Sequence, residues 1–64
     1  MFRNVEFFVK TNQREERWTQ KIAGSRREIS EQAETLLAQA QVYALKDGEQ
    51  IVLANYHILP REAS

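Results

Sequence analysis

The segment from Ser25 to Gly48 constrains this chain more than any other, because it carries a complete set of helix signals in sequence order. Ser25 and Glu28 have the spacing of a capping box, in which each end satisfies the other's free amide. After it, Ile29, Ala33, Leu36, Leu37, Ala40 and Tyr43 recur at intervals that gather on one side of a 3.6-residue period. Glu31, Glu34, Gln39 and Gln41 fall on the other faces, and Ala, Leu, Gln and Glu are strong helix formers. Lys46-Asp47-Gly48 closes the run, so an amphipathic helix is expected from about Arg26 to Leu45.

An amphipathic helix needs an apolar surface to lie on, and the first ten residues offer one. Val5, Phe7 and Val9 alternate with Asn4, Glu6 and Lys10, a period-2 pattern that predicts a strand from Arg3 to Lys10. Phe8 breaks the alternation and puts a ring on the polar face, which implies that this face meets something. Thr11 and Asn12 are capping residues, and Glu15 stands three positions after Asn12. These features, with Trp18 and Ile22 one helical turn apart and Gly24 behind them, predict a first helix from Gln13 to Ala23. Glu49 to Leu59 has no single period. Its Ile, Val and Tyr favour a strand, with a short helix as the alternative, and Pro60 ends it. The expected fold class is α+β: an N-terminal strand, two helices over about 13–23 and 26–45, and a C-terminal strand. Residues 1–64 are read as one domain, with 60–64 as a frayed tail and the two strands pairing antiparallel beneath the helices.

A chain of 64 residues hides only about 60% of the surface its unfolded form exposes, so its core is thin and outside support is expected. Cysteine is absent and His57 is the only histidine, which removes disulfides and thiolate metal sites and leaves a partner subunit as the natural support. The longest apolar run, Ile51 to Ala54, is far short of a membrane span, and no signal-type segment or glycosylation acceptor is present. The expected location is cytoplasmic, with no membrane partner. Residues 1–32 hold seven Lys/Arg against five Asp/Glu, and residues 33–64 hold two against four. The basic bias is densest between Lys10 and Arg27, where an acidic partner or nucleic acid would be drawn.

Nucleophilic catalysis needs a nucleophile, a base and a group that orients the base, and a single histidine flanked by Tyr56 and Ile58 supplies few combinations. Glu15, Glu16, Glu28, Glu31 and Glu34 are spaced as pairs but sit among Arg, Gln and Ser, which suits surface ion pairs better than acid–base work. The two glycines are explained as helix terminators, and Trp18 as a core anchor. The reading is therefore of a non-enzyme with no catalytic, cofactor-binding or metal residues and no small-molecule substrate.

The order strand (Asn4 to Lys10), helix (Gln13 to Ala23), Gly24, then Arg27-Glu28-Ile29-Ser30-Glu31 opening a second helix resembles the ribbon-helix-helix family of small dimeric DNA-binding proteins and antitoxins. The resemblance covers residues 3–46. It implies that two copies of the strand pair and enter the major groove, with Asn4, Glu6, Phe8 and Lys10 toward base edges. It also implies that Arg26 and Arg27 meet phosphate at the helix start, and that Ile29, Ala33, Leu36 and Leu37 form the dimer core. Glu6 on the reading face would repel phosphate, Glu28 competes with the phosphate at the helix start, and the net charge is zero, so DNA binding is the alternative. The main expectation is a regulatory protein-interaction module, acting on another protein or as a homodimer, with Ile51, Leu53 and Tyr56 as further docking positions. Leu36 to Leu59 is also similar to the helical lid of AAA+ ATPases, where a helix ends at an Asp-Gly turn before a short strand and another helix.

Overall fold

The computed structural model describes residues 1–60. They form four elements in the order β1 (Phe2–Thr11), β2 (Glu15–Ala23), α1 (Arg26–Lys46) and β3 (Ile51–Ile58). β1 is the central strand of a three-stranded sheet in the order β2-β1-β3, and both neighbours run antiparallel to it. The helix covers one face, so the fold is a β-rich α+β arrangement. This corrects the expectation of two helices and two strands. Of the tail expected over 60–64, residues 61–64 lie outside the described residues.

The residues from Gln13 to Ala23 are where the expectation fails, and the reason is local. Trp18 and Ile22 are four apart, a spacing that satisfies both a helical face and every second residue of a strand. The neighbouring strand decides between them. Trp18 pairs directly with Phe7 on β1, and the two rings stack with centroids 5.1 Å apart and planes 14° apart. Ile22 pairs with Arg3 and is buried. Thr11 and Asn12, read as helix caps, instead build a hairpin turn. The Thr11 hydroxyl accepts from the amides of Gln13 and Arg14 at 3.1 Å each, and the Thr11 amide donates to the Arg14 carbonyl at 2.8 Å. The side-chain chemistry that caps a helix also closes a turn.

The helix expected from Arg26 runs Arg26–Lys46, opened by the Ser25–Glu28 capping box. The Ser25 hydroxyl accepts from the Glu28 amide at 3.2 Å, and the Ser25 amide donates to the Glu28 carboxylate at 3.1 Å. That backbone hydrogen bond, then the one from the serine side chain, holds the Glu28 carboxyl below its ordinary value. At the far end Gly48 takes φ +80°, its amide reaching the Leu45 carbonyl and the Glu49 amide reaching the Ala44 carbonyl. Those two bonds are a Schellman closure, which requires the left-handed conformation that glycine adopts without strain.

Val5, Phe7 and Val9 of β1 and Ile22 of β2 face Ile29, Ala33 and Leu37 of α1 to make the core. Trp18, Leu36, Ala40, Ile51, Ala54, Tyr56 and Ile58 pack around it, half-buried. Tyr43 is not in the core. It is 67% exposed and Ala44 is buried instead, because the row beneath the helix continues from Leu37 and Ala40 at spacings of seven and four. The small Ala33 and Ala44 let the helix lie close to the sheet. The Cα trace is 41 Å long but only 13 Å in its shortest dimension, a single helix on a single sheet.

Candidate interaction surface

Residues paired across an antiparallel sheet share a face, so the register assigns every strand position to one side or the other. Asn4, Glu6, Phe8 and Lys10 all lie on the face of β1 opposite the helix. They share it with Lys21, Thr19, Arg17 and Glu15 of β2, and with Leu53, Asn55 and His57 of β3. Phe8 is half-buried there beneath the Arg17 guanidinium, 5.3 Å from the ring centre, and Lys21 stands 4.6 Å from the Phe2 ring. The cross-strand cations are what meet the stray aromatic, and Lys10 pairs with Glu15 at 3.6 Å.

The strand–helix–helix order on which the ribbon-helix-helix resemblance rests is not in the structure. β1 is hydrogen-bonded on both sides within its own chain, which leaves it no edge for a second copy. Arg26 and Arg27 do stand at the start of α1, on the other side of the molecule from Asn4, Glu6, Phe8 and Lys10, and Arg27 pairs with Glu31 at 3.6 Å. The residues expected at a dimer or partner interface divide in two. Ile29, Ala33 and Leu37 are spent in the core and Leu36 packs against it, so they hold the helix to its own sheet. Ile51 and Tyr56 are half-buried on β3, and Leu53 is 47% exposed on the open face. The Tyr56 hydroxyl lies 2.9 Å from the Ser30 hydroxyl, and donates more weakly to Glu34 at 3.5 Å.

A feature of this surface that the expected site residues do not contain is the absence of charge along two adjoining elements. From Thr35 to Leu45 and from Gln50 to Pro60 no residue carries a formal charge at neutral pH, with His57 counted as neutral. The solvent side of a surface helix is ordinarily charged, and the first half of α1 obeys this with Arg26, Arg27, Glu28, Glu31 and Glu34. Its second half does not. Val42, Tyr43 and Leu45 in the last turns are 50–67% exposed, and Val52 and Leu53 at the start of β3 are 60% and 47% exposed. The loop from Asp47 to Gln50 brings these two groups to the same end of the molecule. The signal was present in the sequence as two charge-free runs, but without the strand order nothing showed that they adjoin.

β3 is also an edge strand. Beyond its end, the Leu59 amide donates to the Asn4 carbonyl at 2.9 Å, which fixes the phase of the ladder. Alternation then turns the amides and carbonyls of His57, Asn55 and Leu53 toward β1, and those of Ile58, Tyr56 and Ala54 away from it. Val52 has no partner on β1, because Lys10 pairs with Leu53 and Thr11 with Ile51.

The buried Glu49 ties the hairpin turn to the α1–β3 loop. Its carboxylate accepts from the Thr11 hydroxyl at 2.7 Å and from the Arg14 guanidinium at 3.0 Å. The Thr11 hydrogen bond first, and the Arg14 one second, hold its carboxyl below the ordinary glutamate value, while Arg14 is raised in return. The group is a strut between two loops, which sets where β3 begins. A cleft of about 170 Å³ between Met1, Arg3, Arg26, Ile29 and Ile58 is smaller than ordinary small-molecule pockets. Among the described residues no cluster of three metal-ligating side chains occurs, and no helix is long and apolar enough to cross a membrane. Compared with protein-family models, curated proteins and solved structures, the chain matches none of them.

Proposed function

We propose that this chain is a non-enzymatic protein-interaction module, and that its docking side is the flank formed by β3 and the second half of α1. The observation that carries this reading is the charge-free stretch on each of two elements that pack together, with Val42, Tyr43 and Leu45 exposed at the end of α1 and Val52 and Leu53 exposed at the start of β3. The buried centres of protein interfaces are depleted in charge and enriched in aromatic residues, whereas a surface that stays in water has no reason to exclude charge. The remaining surface, including β2 and the first half of α1, carries the ion pairs of an ordinary solvated face. Cytoplasmic residence and a regulatory role belong to the same proposal.

Photo-crosslinking residues introduced singly at Leu45 and Val52, and as controls at Arg17 and Glu31, test this in cells that make the protein. Protein adducts confined to the first two positions are the expected result. Adducts at the controls with none at Leu45 or Val52 would place the docking side elsewhere.

A further inference from the structure

We infer that the occupant of this flank is a second copy of the same chain, joined through β3 to β3 across a two-fold axis so that the two sheets become one six-stranded sheet. The inference rests on the proposed docking side and names its partner.

The edges of the sheet differ in a way that points to this arrangement. β2 carries Glu15, Glu16, Arg17 and Lys21 among its nine residues, and charge on an edge strand discourages further pairing. β3 has eight residues, Ile51–Ile58, with neither a formal charge nor a proline. An uncovered strand of that composition is a template for uncontrolled association, so its cover must be present whenever the protein is. A second copy meets that condition at any concentration above its dissociation constant. Pairing β3 with β3 gives the order β2-β1-β3-β3-β1-β2, in which both bare edges are used and both outer edges are charged. The assembly is closed at two copies.

Self-complementarity is a strict demand on a two-fold contact, since the same patch of each copy meets itself, residue i contacting j and j contacting i. A charge-free strand meets it without repulsion. Antiparallel pairing centred on Asn55 sets Ala54 opposite the partner's Tyr56 and Val52 opposite the partner's Ile58. The outward amides and carbonyls of Ala54, Tyr56 and Ile58 then find acceptors and donors. Asn55, exposed on the open face, meets the partner's Asn55 across the axis. With the helices on the same face of the joined sheet, the two copies of α1 run antiparallel, the second half of each alongside the first half of the other. Eight strand residues at about 3.3 Å each, over the roughly 20 Å height of sheet and helix, give a footprint of about 500 Å² per copy. The total of about 1,000 Å² reaches the lower limit of a specific interface.

The test is the mass of the purified full chain by light scattering or sedimentation equilibrium over the micromolar range, for the wild type, Asn55→Lys and Asn55→Asp. A wild-type dimer is expected, with each variant dissociating at about fivefold higher concentration because like charges then face each other across the axis. An equimolar mixture of the two variants is expected to recover the dimer mass, since the charges become opposite. A monomer at every concentration, or a dimer that neither variant weakens, would overturn the second copy as occupant. If the monomer still forms adducts with another protein at Leu45 and Val52 in cells, the docking side stands and only its occupant is wrong. A monomer with no adducts there overturns both readings.

Discussion

Phe7→Ala is the substitution on which the fold argument can be tested most sharply. Phe7 has no exposed surface, stands at the centre of the middle strand, and lies between Trp18 and Tyr56 on the helix-facing side. Truncating such a ring costs about 3–5 kcal/mol in transfer and cavity terms together. A chain of 64 residues at about 0.05–0.15 kcal/mol per residue has roughly 3–10 kcal/mol in all, so the variant sits at or near unfolding. Phe7→Leu keeps most of the volume and loses the stack on Trp18, a change of about 1–2 kcal/mol. Phe8→Ala is the control: the ring is half-buried on the open face with one cation over it, and its loss costs about 1 kcal/mol or less. The assay is urea unfolding at one protein concentration, followed by far-ultraviolet dichroism and by the fluorescence of Trp18, the only tryptophan. Loss of Phe8 costing as much as loss of Phe7 would refute the face assignment, and with it the register.

The other expectations concern the ends of the elements and the buried carboxylate. Ser25→Ala removes one half of the capping box and should cost about 1 kcal/mol in chemical denaturation, with no change in the slope of the transition. Gly48→Ala places a Cβ at φ +80° and should cost about 1 kcal/mol by the same measurement, although no atom stands within 4 Å of the added carbon. The Glu49 carboxyl is held below its unfolded value, so its contribution is fully present above that value and is lost as pH falls through the folded one. Melting temperatures recorded from about pH 6 down to about pH 3 should therefore fall more steeply for wild type than for Glu49→Gln. Equal slopes would show that the strut does not titrate with folding. If the second copy is the support, the wild-type melting temperature should rise with protein concentration while that of Asn55→Lys rises less.

Helix α1 was legible because its signals are local and agree: cap, row and glycine closure all lie within one segment, and each acts through neighbours three or four residues away. β1 was legible for the same reason, its alternation being carried by Val5, Phe7 and Val9. β2 was not. Trp18 and Ile22 fit two periods equally, Thr11 and Asn12 serve a turn as well as a cap, and only the stack on Phe7 chooses the strand. Tyr43 was placed in the core by its spacing, yet the helix meets the sheet along a row that turns to Ala44 instead. The charge-free runs were readable as composition, but their adjacency was not, because it depends on β3 lying beside β1 and beneath α1.

The sequence by itself determined which residues can be helical, which strand has a buried and a wet side, and that no disulfide or thiolate metal supports the chain. These follow from side-chain chemistry and from contacts a few residues long. Tertiary structure alone decided that β1 is central, so that a ribbon of two β1 strands has no free edge to form on, and that β3 is the uncharged edge. Strand order is fixed by pairings between residues up to some fifty positions apart, such as Val5 with Ile58, and no local pattern encodes which partner wins. That choice places two neutral stretches of sequence on adjoining elements, one of them an edge of the sheet.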